Sequence, residues 1–288
     1  MITSDIREMQ VVQMNDLENK FKKELDDEDI RFLKEHGKNI NKIMNFASKY
    51  KPLSAATIED EFNKMQKSYS KVFFRIFERH GINCFNMGRL HGKYEVIAAG
   101  KPVKDFKKLD EPLKLAEPLP MDVDISFYIY PEKAIEAIRE RELVLSGNVT
   151  KDTIETIKNI MVERLKGADK VETENQIAKA LNSSMDRAEL ISITESTYYY
   201  NKGRLTSFYE DGVEYVQFSA VMDARTSDQC RSRHGLIMRT DSDELGMNTP
   251  PLHGRCRSVL KPYFDKPSDK EMDWSNTAPL PHGWRAGS

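Results

Sequence analysis

Asp223-Ala224-Arg225-Thr226-Ser227-Asp228-Gln229-Cys230, carried on by Arg231-Ser232-Arg233-His234-Gly235, and Asn248-Thr249-Pro250-Pro251-Leu252-His253-Gly254-Arg255-Cys256-Arg257-Ser258 are the strings on which the reading of this chain turns. They hold Cys230-x3-His234 and, eighteen residues on, His253-x2-Cys256. These are two of the three cysteines and two of the six histidines among 288 residues. Each pair is compact enough to place two ligands on one ion. One pair on each side of a long loop is how a tetrahedral metal staples a small, loop-rich module. The donor set Cys230, His234, His253 and Cys256 suits zinc. With all four engaged no position would remain for water, so such an ion would be structural. The order of the pairs differs from that of a zinc finger, in which two cysteines precede two histidines. The competing reading needs no metal: the cysteines are small core residues, and the histidines hydrogen-bond loop carbonyls.

The neighbours of these residues read as architecture. Asp223 and Thr226 stand at a strand-to-loop exit, where a carboxylate and a hydroxyl cap free backbone N–H groups. Pro250-Pro251 enforces an extended entry into His253. Arg255 and Arg257 bracket Cys256 and have Asp223, Asp228 or a phosphate as candidate partners.

Outward from this segment the pattern is helical. Ile58, Phe62, Met65, Tyr69, Val72, Phe73, Ile76 and Phe77 recur at steps of three and four and make one apolar stripe over residues 54–80. Gly81 is placed to end that helix. Lys64, Lys67, Lys71, Arg75 and Arg79 form a basic stripe beside the apolar one. It reads either as a solvated face or as a surface for DNA phosphates or an acidic partner. Residues 5–50 read as helical with a break at Gly37. Residues 84–130 read as an extended arm or linker, punctuated by Gly88, Gly92, Gly100 and several prolines, with Asp124–Tyr130 as a short strand. Helices are predicted over 131–145, 150–166, 172–182 and 184–201, the last capped by Ser183 and ended by Gly203. Asp211-Gly212 signals a turn, Val213–Val221 a strand, and Ser258–Phe264 a closing strand. Residues 266–288 read as an extended tail with Trp274 and Trp284 as isolated aromatics.

The expected fold class is therefore α+β: a mostly helical N-terminal two-thirds with a small loop-rich α+β module at the C-terminal end. The expected regions are 1–83 (helical), 84–130 (arm), 131–203 (helical), 204–265 (module) and 266–288 (tail). The net charge of −2 hides segregation. Residues 1–30 carry nine acids against four bases, and residues 64–108 carry eleven Lys/Arg against three acids. Three cysteines make no disulfide framework, and Cys84 reads as a buried apolar residue. The first ten residues lack the apolar core of a signal peptide, and no stretch reaches the roughly 20 apolar residues of a membrane span. A soluble protein assembled in a reducing cytoplasm is expected, without a membrane partner.

The strings Asp223-x-Arg225-Thr226-Ser227-x-x-Cys230, His234-Gly235 and Pro250-Pro251-x-His253-x-x-Cys256-Arg257-Ser258 resemble the phage head morphogenesis proteins, or minor head proteins, of the Mu F-like family. So does Arg187-Ala188-x-x-Ile191-x-x-Thr194-Glu195 followed by Gly203-Arg204. The resemblance covers about 183–264. It implies a low-copy virion component at the portal vertex or the capsid interior, with portal protein or major capsid protein as partners. It also implies work in DNA packaging, retention or delivery. Ser227 and Ser258 stand where some similar proteins carry a further cysteine, which leaves a mixed Cys/His site rather than a cysteine-only one. Two other classes compete: a metal-dependent nuclease or toxin-like enzyme built on the Cys/His loop, and a sequence-specific DNA-binding regulator. Against the first stands the lack of paired metal-binding carboxylates and of a nucleophile with an evident base. Against the second stands the lack of a helix-turn-helix signature.

Overall fold

A computed structural model of the chain describes residues 4–49, 55–103 and 170–284, together with 139, 141, 151, 152, 155–157, 159 and 160. Eight elements are defined: α1 (Ser4–Lys49), α2 (Ala55–Ala98), α3 (Lys170–Glu210), β1 (Tyr215–Ser219), α4 (Asp228–Arg233), β2 (Ile237–Arg239), α5 (Asp243–Asn248) and β3 (Val259–Tyr263). The fold is α+β, as expected: long helices precede a three-stranded antiparallel sheet of order β2-β1-β3. The expected arm beyond residue 103, the strand at 124–130 and the helix at 131–145 lie outside the described residues. So does 150–166 apart from the isolated positions named.

The chain divides into two compact units. One comprises Lys20–Arg79 and Pro131–Glu189. Its core is the apolar stripe read from the sequence, with Met65, Tyr69, Phe73, Ile76 and Phe77 buried. They meet Phe21, Leu25 and Phe32 of α1, and Phe21–Phe77 and Phe32–Tyr69 approach at ring-centroid distances of 5.3 and 4.2 Å. Such ring pairs add to the area they bury. Salt bridges Arg79–Glu24, Arg139–Glu78 and Arg187–Asp152 lie on its surface.

The second unit comprises Met1–Asn19, His80–Tyr130 and Leu190–Ser288. Its apolar centre joins Val96 of α2, Leu205 and Phe208 of α3, Val216 and Phe218 of β1, Met238 of β2, Leu260 of β3, and Leu252, Cys230 and Cys256 from the loops. Alternation places Val216 and Phe218 inward and Tyr215, Gln217 and Ser219 at the partly exposed face.

Helix ends differ from the sequence expectation at several glycines. α1 runs through Gly37, α2 through Gly81, Gly88 and Gly92, and α3 through Ser183 and Gly203. Residues 84–98 are therefore helix, not the start of an extended arm. The cause at Gly88, Gly92 and Gly203 is close packing of α2 on α3. A Cβ on Gly88 would lie 2.0 Å from the Tyr200 carbonyl oxygen, and one on Gly203 would lie 1.9 Å from that of Phe85. These glycines sit inside helices because two backbones meet there, and the roughly 1 kcal/mol of lost helix propensity is offset by the contact. Ser183 caps nothing because no glycine or proline interrupts residues 170–202. The true stops are Gly100 and Gly212, both left-handed, with φ of 71° and 70°. After α3 the Val213 N–H reaches back to the Phe208 carbonyl at 2.9 Å, closing the helix in a Schellman-type turn.

Both edges of the sheet are sealed. α3 turns a polar ladder toward β3. The Asn201 amide takes the Leu260 N–H (2.9 Å) and donates to the Ser258 carbonyl (3.1 Å), while Arg204 Nε donates to the Leu260 carbonyl (2.6 Å). On the other edge the tail plays the part of a strand. The Ile237 N–H donates to the Glu271 carbonyl (2.7 Å), and Trp274 Nε1 donates to the Ile237 carbonyl (3.0 Å). The tail is thus irregular, as expected, but its tryptophans are not isolated. Trp274 packs on the core, and Trp284 Nε1 donates to the Pro251 carbonyl. An unpaired strand edge is a template for aggregation, and here side chains and an irregular segment blunt it.

Candidate metal centre

The centre is built by two loops that leave the sheet and return to it. The first leaves β1, is fixed at Asp223, and enters the one-and-a-half-turn helix α4. The Asp223 carboxylate accepts the Arg225 N–H at 2.9 Å, and its own N–H donates to Thr226 Oγ1 at 2.8 Å. This is the capping arrangement expected of Asp223 and Thr226. Arg257 then grips the same carboxylate with two bonds of 2.8 and 2.9 Å, tying the first loop to the second. Those bonds hold the Asp223 carboxyl well below the usual range, and they raise Arg257. Of the two arginines that bracket Cys256, Arg257 is the partner of Asp223. Arg255 instead adopts a left-handed φ of 59° and donates its N–H to Thr194 Oγ1 at 3.0 Å.

Ser227 caps α4, its hydroxyl accepting the Cys230 N–H at 3.3 Å, and places Cys230 on the buried face of that helix. The second loop descends from α5 through Pro250-Pro251, a cis bond, to His253. Thr197 of α3 donates to the Cys256 carbonyl at 2.5 Å, which fixes Cys256 from beneath.

Cys230, His253 and Cys256 converge. His253 Nε2 lies 3.2 Å from Cys230 Sγ and 2.8 Å from Ser227 Oγ, and the two sulfurs are 3.6 Å apart. The three donor atoms all lie within 4.8 Å of one another. His253 Nδ1 donates to the Gly254 carbonyl at 2.8 Å, which leaves Nε2 as the inward donor. Both thiols are buried and unbridged by a disulfide, while His253 is half-buried. Hydrogen bonds from Cys256 first, then from His253 and Ser258, push the Cys230 thiol down to about 4. The bond with Cys230 raises His253, and Cys256 keeps its proton by donating it to Cys230. Of the two sulfurs, Cys230 is thus the one shifted toward the thiolate, the form that binds metal.

His234 is not part of this group. Its Nδ1 accepts the Ala220 N–H at 3.1 Å, so the ring closes the end of β1. Pro251 contributes its carbonyl to Trp284. Among the basic-stripe residues, Lys67, Lys71 and Arg75 are exposed, Lys64 pairs with Asp60 at 2.8 Å, and Arg79 pairs with Glu24. Two cations further along the basic 64–108 stretch, Arg89 and Lys93, do not extend this exposed stripe. The structure buries them instead: Arg89 binds Glu210 at 2.8 Å and Lys93 binds Asp211 at 3.2 Å. Periodicity alone does not separate a solvated lysine from one matched to a distant carboxylate.

Sequence reasoning gave no role to the buried chain that backs the module. Arg204 is fully buried and bridges Glu95, the Tyr200 hydroxyl (3.2 Å) and the Leu260 carbonyl. Tyr200 meets His91 Nδ1 at 2.8 Å, and His91 Nε2 meets Gln13 Oε1 at 2.8 Å. Burial pushes His91 down to about 3, so its ring is neutral. Gly203-Arg204 carried part of the resemblance, and the structure supplies the reason: one residue permits the helix crossing and the next pins β3.

These features define a small α+β module whose two loops are knit at a Cys2His cluster and whose sheet edge is capped by a polar helix face. The family model described as Phage Mu protein F like protein matches residues 146–261, so this span of the chain is similar to the Mu F-like proteins. That similarity suggests a phage head morphogenesis protein with capsid-related partners and a place in the virion. No curated protein and no solved structure matches the chain. No helix among the described residues is long and apolar enough to cross a membrane.

Proposed function

We propose that the chain is a structural minor head protein of a tailed phage. It acts at the portal vertex or the capsid interior in head assembly and in packaging, retention or delivery of DNA. The observation that carries this reading is the Mu F-like match over 146–261, which spans the polar face of α3, the sheet and the Cys/His loops. Portal protein or major capsid protein is the partner, and the Cys230–His253–Cys256 cluster holds a structural zinc that fixes the module's loops. Lys67, Lys71 and Arg75, exposed along α2, supply a backbone-directed contact to packaged DNA without base readout. The enzyme alternative, a metal-dependent nuclease or toxin-like protein, is less well supported. Among the described residues the metal-ligating group has two thiols and one imidazole and no carboxylate, whereas nucleases that use two metals hold them with clustered acids.

Co-expression with the portal protein of the same phage tests the reading. The chain should copurify with the assembled portal and stay bound in 150 mM salt. A portal that assembles and purifies free of it would remove the portal part of the proposal.

A further inference from the structure

The cluster differs from the four-ligand site that the sequence suggests, and the difference has chemical content. An ion bonded to two thiolates at about 2.3 Å and one imidazole at about 2.0 Å in tetrahedral geometry separates the sulfurs by about 3.8 Å and each sulfur from the nitrogen by about 3.5 Å. The observed separations are 3.6 Å between sulfurs and 3.2 Å between Cys230 Sγ and His253 Nε2. At these two separations an ion would spread the donors by only a few tenths of an ångström, and the third pair, Cys256 Sγ and His253 Nε2, lies within 4.8 Å. Among the described residues no fourth ligand of the usual kind stands at the remaining corner: His234 is engaged at the end of β1, and no Asp, Glu, His or further Cys joins the group. Ser227 stands beside the cluster, its hydroxyl 2.8 Å from His253 Nε2, and is, like His253, only half-buried, whereas Ser258, which also hydrogen-bonds Cys230, is buried. A neutral hydroxyl is a weak zinc donor beside thiolate and imidazole. Cys230 and Cys256 are buried, so the solvent-facing part of the group is at Ser227 and His253.

We infer that Cys230, Cys256 and His253 hold one zinc-class ion whose fourth position, beside Ser227, is taken by a water that small nitrogen or sulfur donors displace. This deepens the zinc reading given above and rests on it. The site is then a three-ligand centre with an exchangeable position, in contrast to a closed structural knot. His253 is fixed for this role by the bond from its Nδ1 to Gly254, and Ser227 is a hydrogen-bonding neighbour of the bound water.

Cobalt(II) loaded into the full reduced chain tests this, with imidazole as the probe donor. One cobalt per chain is expected, with a thiolate-to-metal charge-transfer band in the near ultraviolet and tetrahedral ligand-field bands in the visible. Millimolar imidazole should shift the visible bands saturably while the charge-transfer band stays. The same response is expected in His234→Ala. Failure to take up cobalt overturns both this inference and the zinc reading. Uptake with visible bands indifferent to imidazole, or stripped by it, overturns the exchangeable position and leaves the zinc reading standing. So does an imidazole response that appears in Ser227→Ala or His234→Ala but not in the wild-type chain, which would make that residue the fourth ligand.

Discussion

Two ionisable side chains of the second unit, buried His91 and half-buried Glu18, push its pH behaviour in opposite directions. His91 titrates at about 3 in the folded chain against about 6.5 unfolded, so its stabilisation is complete above pH 6.5 and declines as pH falls toward 3. Glu18 is raised by burial to about 7, with Arg257 opposing, so its contribution is complete below its unfolded value of 4.5 and fades as pH rises through 7. Between pH 7 and pH 5 each changes stability by on the order of 2 kcal/mol, with opposite sign. Urea denaturation at the two pH values should show Glu18→Gln losing about 2 kcal/mol more than the wild-type chain on acidification, and His91→Asn losing about as much less. Equal pH dependence in all three proteins would contradict the assignment.

At the same scale, the candidate site was partly legible in the sequence. Cys230, His253 and Cys256 were named because soft donors at short spacing are rare. The caps at Asp223 and Thr226 followed from their place after a strand. His234 sits four residues from Cys230 on paper. In the fold α4 ends between them, and the ring turns to the Ala220 N–H. Spacing gives proximity along the chain but not the direction a ring faces once a short helix intervenes. The Glu95–Arg204–Tyr200–His91 chain was out of reach for another reason: its members are about a hundred residues apart, and each looks like surface when taken alone.

Among the elements, the crossing of α2 and α3 carries the architecture. Sequence reading treated Gly88, Gly92 and Gly203 as breaks, because glycine is the usual punctuation and nothing local marks a helix crossing. The apolar stripe over 65–77 was legible because its partners recur at fixed steps. Helix ends at Gly100 and Gly212 were legible only where a turn dipeptide, Asp211-Gly212, reinforced the glycine. If the glycine at 203 serves the crossing, Gly203→Ala should destabilise the protein despite alanine's better helix propensity. The added Cβ meets the Phe85 carbonyl oxygen and the Arg89 nitrogen, both backbone atoms that cannot turn aside. A loss of about 2 kcal/mol or more in equilibrium denaturation is expected, in the range typical of overpacking. A stabilised Gly203→Ala protein would show that α2 and α3 are not in such contact.

For the whole molecule, the relevant quantities are charge and company. A net charge of −2 argues against a protein that wraps DNA. With Arg89 and Lys93 neutralised internally and Lys64 and Arg79 paired, the free positive surface along α2 is modest. Gel retardation of duplex DNA should therefore show weak binding at low ionic strength that disappears by about 150–200 mM salt and is reduced in Lys67→Ala/Lys71→Ala/Arg75→Ala. Absence of any shift at low salt would remove DNA from the partners and leave protein contacts alone. The role in the head itself is tested by quantitative mass spectrometry of purified, DNA-filled virions of the phage that encodes this chain. The account predicts that the chain is present at a few copies per particle, far below the major capsid protein and on the scale of the portal. Virions of full infectivity that contain none of it would contradict the account.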